Sequence, residues 1–281
     1  MKSPARSTHR QHGLTLVELM VSMVVGLVLM GGMVQVFKTN KGANRYSQGV
    51  AQMQDSGSYA LDFVSSQIGQ IGYVPTWNNL GQVSDQNNDG VKDRLDMEMW
   101  GYGATVPVVA SEGAGTASDA ITMNVFIDPQ NPAPTNCVGT SVAAPGNFTG
   151  LPGWGVTNVI AVNTTNSTLT CNGVAVADGV ENMQILYGVD TTIPGDGIVD
   201  QYMRWNQVIA PVDLRMRVIV VRVALLVAST AAVVPVANTN TKNLLGTVVG
   251  PWTDRKLRTV YTTTIRLHNR CAKYTGGSLC V

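Results

Sequence analysis

Residues 14–37, LTLVELMVSMVVGLVLMGGMVQVF, form a 24-residue apolar run whose only formal charge is Glu18. At about 1.5 Å per residue a helix of this length spans roughly 36 Å, enough to cross a hydrocarbon core of about 30 Å with some tilt. The run reads as a membrane segment. A cleaved secretory signal fits it poorly, because such apolar regions run about 7–15 residues and end at small-residue sites, and Glu18 stands near the start. The same run accounts for much of the composition. The chain is 13% charged with a mean hydropathy of +0.10, against roughly 25% charge in ordinary soluble domains. That balance excludes charge-driven disorder and a uniformly basic nucleic-acid binder. Three Lys or Arg precede the run (Lys2, Arg6, Arg10) and three follow it (Lys38, Lys41, Arg45), so the positive-inside rule does not set its orientation.

A carboxylate inside such a helix needs compensation. At a helix centre it costs about 2.5–3.5 kcal/mol; Glu18 lies only about 6 Å in from Leu14, where the cost is smaller. Its partner is either the headgroup region or, in a bundle of like helices, the α-amino group of a neighbouring subunit. Ser22, Gly26, Gly31 and Gly32 allow close helix approach, or act as points where the helix unwinds.

The residues Gly13-Leu14-Thr15-Leu16-Val17-Glu18-Leu19, behind a basic leader, resemble the class III signal of type IV prepilins. The continuation TLVELMVSMVVGLVLMGG is similar to the PilW family of minor pilins. The resemblance implies cleavage after Gly13 by a prepilin peptidase and methylation of the new amino group at Leu14, where the family usually carries Phe or Met. It also implies a single pass of the inner membrane with a periplasmic head, and later a place in a pilus at the cell surface. The amino group of Leu14 is then the natural partner of Glu18 on a neighbouring helix.

From Tyr46 the apolar positions Tyr46, Val50, Met53, Gly57, Ala60, Val64, Ile68 and Ile71 recur at three or four residues. They predict a helix continuing to about Gly72, with Pro75 beyond. Strands are expected at 120–127, 156–163, 182–189, 214–227 and 257–267, between Gly, Pro, Asn and Thr clusters. In the last, Leu257, Tyr261, Ile265 and Leu267 alternate with Arg258 and Arg266, which predicts an antiparallel sheet with one wet face. A helix over such a sheet is an α+β domain, the fold class that the pilin resemblance also implies. The expected organisation is a leader at 1–13, a membrane or assembly half-helix at 14–37, an amphipathic half-helix at 38–72 and a β-rich head at 73–281. The small, apolar segment 228–250 reads as a long loop, either an arm against a neighbour or a surface insertion.

The four cysteines, Cys137, Cys171, Cys271 and Cys280, include no C-x-x-C pair, which argues against zinc ribbons and thioredoxin-like chemistry. In an exported chain they can form disulfides. Of three connectivities the spacing favours Cys137–Cys171 with Cys271–Cys280, the second closing the tail onto the last strand. Oxygen ligands at Asp85, Asn87, Asp89, Asp93 and Asp96, with Gly90 and the carbonyl of Val91, follow the twelve-residue spacing of a calcium loop. A solvated Asn/Asp turn is the alternative, favoured by Lys92 at a usually apolar position. The second cluster, Asp190, Asp196 and Asp200, reads as a plain turn, because Thr192 and Pro194 stand where ligands are needed.

Residues 201–281 hold eleven Lys or Arg and two acids, whereas 14–200 hold five bases and sixteen acids. Such polarity can steer one subunit onto the next, present a basic patch of Arg255, Lys256 and Arg258 to DNA, or dissolve into local ion pairs. With three histidines and no nucleophile elbow, phosphate loop or zinc signature, no enzymatic activity is expected. The leading expectation is a PilW-type minor pilin that helps start pilus assembly at or near the filament tip, with other minor pilins and the major pilin as partners. The alternatives are a tip adhesin or DNA-capture subunit, contacting DNA or a host surface, and a pseudopilin of a type II secretion system. The calcium reading is decided by titrating the soluble head with Ca²⁺: a rise in Tm is expected, and neither a shift nor heat at millimolar calcium would remove the idea.

Overall fold

The computed structural model describes residues 15–71, 108–127, 135–142, 154–192, 195–208, 214–215, 217–237, 239–268, 271–274 and 277–280. One helix, α1 (Leu16–Gly69), spans the apolar run and the stripe beyond it. It ends in a tighter turn, with Gln70 N–H donating to the Gln67 carbonyl (3.2 Å) and Ile71 N–H to that of Ile68 (3.0 Å). The chain divides into two units at Gln48/Gly49. In the second, Gly49, Met53, Gly57, Ala60, Val64, Ile68 and Ile71 are buried at the expected spacing. Tyr46 instead stands 46% exposed, and Gly49 takes the buried position expected of Val50. The reason is close approach. A Cβ on Gly49 would lie 2.8 Å from Val233 Cγ1, and one on Gly57 would lie 2.6 Å from the Tyr261 ring. The helix presses hardest where it has no side chains.

It presses on two antiparallel sheets. The first has the order β1 (Val108–Ser111), β2 (Ala120–Ile127), β3 (Trp154–Asn163), β4 (Thr168–Cys171), β5 (Val174–Asp178). The second runs β11 (Arg258–Arg266), β8 (Val218–Ala228), β6 (Val180–Val189), β7 (Gln201–Met203). A short helix α2 (Trp205–Val208) follows β7, and two hairpins complete the set: β9 (Lys242–Leu244) with β10 (Thr247–Val249), and β12 (Cys271–Tyr274) with β13 (Gly277–Cys280). The α+β class is as expected. The five expected strands are β2, β3, β6, β8 and β11.

Two differences have local causes. The hairpin β4–β5 turns on Asn172-Gly173, both at positive φ (51° and 80°), the dipeptide that specifies a type I′ turn. The segment 228–250, expected to be a loop, carries β9–β10, and its Leu244 is fully buried against Ala224 and Leu226. That hairpin covers part of the outer face of the second sheet, and Val199 covers Ile219 and Val220. The outer face is therefore dry along β8, which explains why that strand is apolar almost throughout, while on β11 Thr262, Thr264 and Arg266 keep it wet as the alternation predicts.

The second sheet leaves an edge to close. β7 pairs with β6 only at Tyr187, Gly188 and Val189. Over the preceding residues the edge of β6 is met by the turn at 113–119. Asp119 N–H donates to the Met183 carbonyl (2.8 Å), and Met183 N–H donates to Ser118 Oγ (3.0 Å). The Asp119 carboxylate accepts Ile185 N–H through Oδ2 and Gly113 N–H through Oδ1, each at 2.8 Å. Gln184 Nε2 reaches the Ala117 carbonyl at 2.7 Å. Burial pushes the Asp119 carboxyl above the usual carboxylate range, against these donors.

Arg258 opens β11. Its guanidinium pairs with Glu181 (2.6 and 2.9 Å) and with Asp254 (two contacts of 2.6 Å), and lies 4.4 Å over the Trp252 ring. Expected on the wet face, it is 3% exposed: the alternation set its side of the strand, and two carboxylates and an indole then covered it.

Two measurements follow. Asp119→Ala strands two N–H groups, each worth about 1–3 kcal/mol when buried and unsatisfied. A loss of about 2–4 kcal/mol is expected, a fall in Tm of roughly 4–16 °C for a domain of this size; an unchanged Tm would refute the role of the joint. The hydrogen bonds from Arg258 hold the Asp254 carboxyl down at about 2. A value below the unfolded one, about 3.9, means stability that is complete above that value and lost as pH falls toward 2. Wild-type Tm should drop through that window, and the drop should be shallower in Asp254→Asn.

Candidate functional site

The first unit is the free half of α1. Thr15 caps it: Leu19 N–H donates to the Thr15 carbonyl (3.2 Å) and Glu18 N–H to Thr15 Oγ1 (3.3 Å). Thr15-Leu16-Val17-Glu18 has the spacing of a capping box, a signal legible in the sequence alone. It places Glu18 in the first turn, where the helix dipole favours a carboxylate by about 0.3–1 kcal/mol. Glu18 thus has a local reason for its position beside any partner on another chain.

Beyond it the apolar side chains have no cover. Every large hydrophobic residue from Leu16 to Phe37 is more than half exposed. The hydroxyls that interrupt the surface are satisfied within the helix, Ser22 Oγ donating to the Leu19 carbonyl (2.9 Å) and Thr39 Oγ1 to that of Gln35 (3.0 Å). Gly26, Gly31 and Gly32 have no atom within 4 Å of where a Cβ would stand, which leaves notches for a neighbouring helix. The helix is long and apolar enough to cross a membrane. What it offers chemically is a surface for lipid or for other helices.

The other predicted residues fall as follows. Gly13 and Leu14, and the loop residues Asp85, Asn87, Asp89, Val91, Asp93 and Asp96, lie outside the described residues. Cys137 and Cys171 form a disulfide with Cα atoms 6.3 Å apart. Asn158 ties it to α1: its Oδ1 accepts Cys137 N–H (3.1 Å) and its Nδ2 donates to Gln67 Oε1 (3.4 Å). The backbone register sets Cys271 opposite Cys280. Asp190 Oδ2 accepts the N–H groups of Asp196 and Gly197, and Asp200 Oδ2 accepts those of Thr191 and Thr192 together with both hydroxyls. These hydrogen bonds with Thr191 and Thr192 hold the Asp200 carboxyl below its ordinary value. These carboxylates organise a turn, and among the described residues no three His, Cys, Asp or Glu side chains gather around a metal position.

The basic patch does not form as expected. Arg258 is consumed by Glu181 and Asp254, and Arg255 Nε donates to the Val234 carbonyl at 2.7 Å. Sequence reasoning also passed over Arg204, which reaches Glu112 (3.0 Å), Gln184 (3.2 Å) and Thr247 (2.6 Å) beside the 113–119 turn.

Comparison with known proteins agrees with this architecture at both ends of the chain. The model of type IV pilus-assembly protein W matches residues 154–269, from β3 through β11. The prokaryotic N-terminal methylation motif matches residues 8–34. No curated protein matches the sequence. Among solved structures, a type IV-like pilin from Thermus thermophilus is 14% identical, with 79% of this chain and 99% of that chain covered and a TM-score of 0.41. With a methylation motif opening the apolar helix and the pilus-assembly model over the strands that the helix packs against, the chain is similar to class III prepilins of the PilW family in both of these regions.

Proposed function

We propose that the chain is a minor pilin that takes part in starting type IV pilus assembly, at or near the filament tip. The observation that carries this reading is the free half of α1: a capped, uncovered apolar helix with one carboxylate in its first turn, on a chain whose head spends two sheets on seating the other half. Before assembly the helix sits in the inner membrane as a single pass with the head in the periplasm. Prepilin peptidase removes residues 1–13 and methylates Leu14, and the new amino group pairs with Glu18 of an adjacent pilin. The chain then joins other minor pilins and the major pilin at the cell surface. Its role is structural; the helix and head supply contacts, and no reaction is assigned to them.

Two further features belong to this reading. Directly opposed residues of an antiparallel pair have Cα atoms about 4.5–5.5 Å apart, within disulfide reach, so the register of β12 and β13 supports a Cys271–Cys280 bond. The DNA-capture alternative rested on Arg255, Lys256 and Arg258, and the burial of Arg258 removes its central cation.

Deleting the gene should strip most surface pili, counted by electron microscopy or shear yield. Wild-type complementation should restore them and Glu18→Ala should not, although the variant protein accumulates in the membrane. Normal pilus number in the deletion strain would overturn the assembly role.

A further inference from the structure

A cleft of about 740 Å³ opens on the head between the turn at 113–116, the helix α2 and the hairpin β9–β10. Sites for small ligands run roughly 300–1,000 Å³. Its floor is a fixed hydrogen-bond lattice. Arg204 Nη1 donates to Glu112 Oε1 (3.0 Å) and Gln184 Oε1 (3.2 Å), and Nη2 donates to Thr247 Oγ1 (2.6 Å) and the Leu245 carbonyl (3.4 Å). Thr247 Oγ1 in turn donates to Gln184 Oε1 (2.9 Å). The amides of Gln184 and Asn182 donate to the carbonyls of Ala117 (2.7 Å) and Thr116 (2.9 Å), and the Ala114 carbonyl accepts Ala117 N–H (3.1 Å). The lattice thus uses both terminal nitrogens of the arginine and three carbonyls of the turn.

What the lattice leaves over lines the cleft. Glu112 Oε2, the Thr116 hydroxyl, the N–H groups of Gly115 and Thr116 and the side-chain amide of Asn206 have no hydrogen-bond partner among the described residues. Thr116 and Asn206 are exposed. Val248, on the hairpin, is 52% exposed and adds an apolar surface beside them. Donors, acceptors and a hydrocarbon patch are therefore within reach of one ligand.

The chemistry of the lining narrows what that ligand is. Its two charges, Glu112 and Arg204, are paired with each other, and no other ionisable side chain lines the cleft. A phosphate or sulfate meets a guanidinium already engaged and a carboxylate beside it. A nucleobase finds no aromatic side chain to stack on. A peptide strand needs a sheet edge to pair with, and the strand at the cleft, β10, is three residues long. A sugar meets every requirement. Each hydroxyl both donates and accepts, so neighbouring hydroxyls serve the Glu112 oxygen and the Asn206 amide together, while the C–H face of the ring covers Val248. We propose that this cleft binds a neutral oligosaccharide, with Glu112, Thr116 and Asn206 holding its hydroxyls. The inference goes beyond the assembly role above and does not depend on it.

The test passes the full chain, in a zwitterionic detergent free of sugar, over printed glycans. One arm carries neutral glycolipid and glycoprotein termini, a second carries neutral fragments of bacterial exopolysaccharide, and a third carries sialylated and sulfated glycans. Retention on a neutral glycan is expected, and the arm that retains the chain tells a host surface from a bacterial matrix as the source. On that glycan Thr116→Ala and Asn206→Ala should each weaken binding about two- to tenfold, the share of one hydrogen bond. Thr116→Ser, which keeps the hydroxyl, should bind like wild type, and Val248→Arg, which fills the cleft, should abolish retention. All three positions are exposed, so Tm should not change. No neutral glycan retained, retention confined to the acidic arm, or binding indifferent to all these substitutions overturns the inference. Pilus counts in the deletion strain bear only on the assembly role, so the two claims fail separately.

Discussion

The head depends on a carboxylate that stands in for a strand. β6 belongs to the second sheet, yet β7 leaves most of its edge unpaired, and an open edge beside a buried core is a cost in unsatisfied amides and a template for wrong pairing. Asp119 closes it from the start of β2, a strand of the first sheet, by accepting Ile185 N–H while its own N–H serves Met183. Two sheets that share no ladder are thereby held side by side. Only that arrangement offers one continuous floor to α1, with Gly57 against Tyr261 of the second sheet and Gln67 linked to Asn158 of the first. The raised pKa of Asp119 is the cost of placing a charge there, and the glycines and alanine of the helix stripe are the return: a helix seated with small residues inward tolerates no change in the spacing of the sheets beneath it.

The same helix lives in two solvents. Its second half buries a stripe of small and medium side chains in a protein core. Its first half is apolar on every side. Leaving lipid for a bundle of like helices exchanges one apolar medium for another, so the hydrophobic effect does little to drive the exchange. Packing at Gly26, Gly31 and Gly32, and the few polar groups, must discriminate. Glu18 is the strongest of these. Its place in the first turn, beside the positive end of the helix dipole, makes the carboxylate tolerable in a lone helix.

Much of this was legible in the sequence because it depends on short-range periodicity. The stripe from Met53 to Ile71 and the run AITMNVFI that forms β2 announce themselves by local periodicity. Asp119 does not, because its partners are backbone N–H groups at Gly113 and Ile185, and backbone carries no sequence signal. Arg258 misleads for a related reason. Alternation along β11 gives the side on which it emerges, but its burial is decided by Glu181 and Trp252, which reach it only through the fold. The hairpin β9–β10 hides in a segment of small residues, turning on Leu245 and Gly246 at positive φ, a conformation that leucine does not advertise.

The division of charge along the chain shows why linear halves are a poor guide to spatial ones. The bases concentrated after residue 200 and the acids concentrated before it suggest a head with two poles. In the fold the strands interleave: β6 from the acidic part pairs with β8 from the basic part, Glu181 of β6 meets Arg258 of β11, and Glu112 meets Arg204. The apparent dipole is thus spent partly on joining the N-terminal and C-terminal halves of the head to each other. What survives among the described residues is local, Arg222 and Arg266 on one side of a sheet and Asp55 and Asp62 on the other.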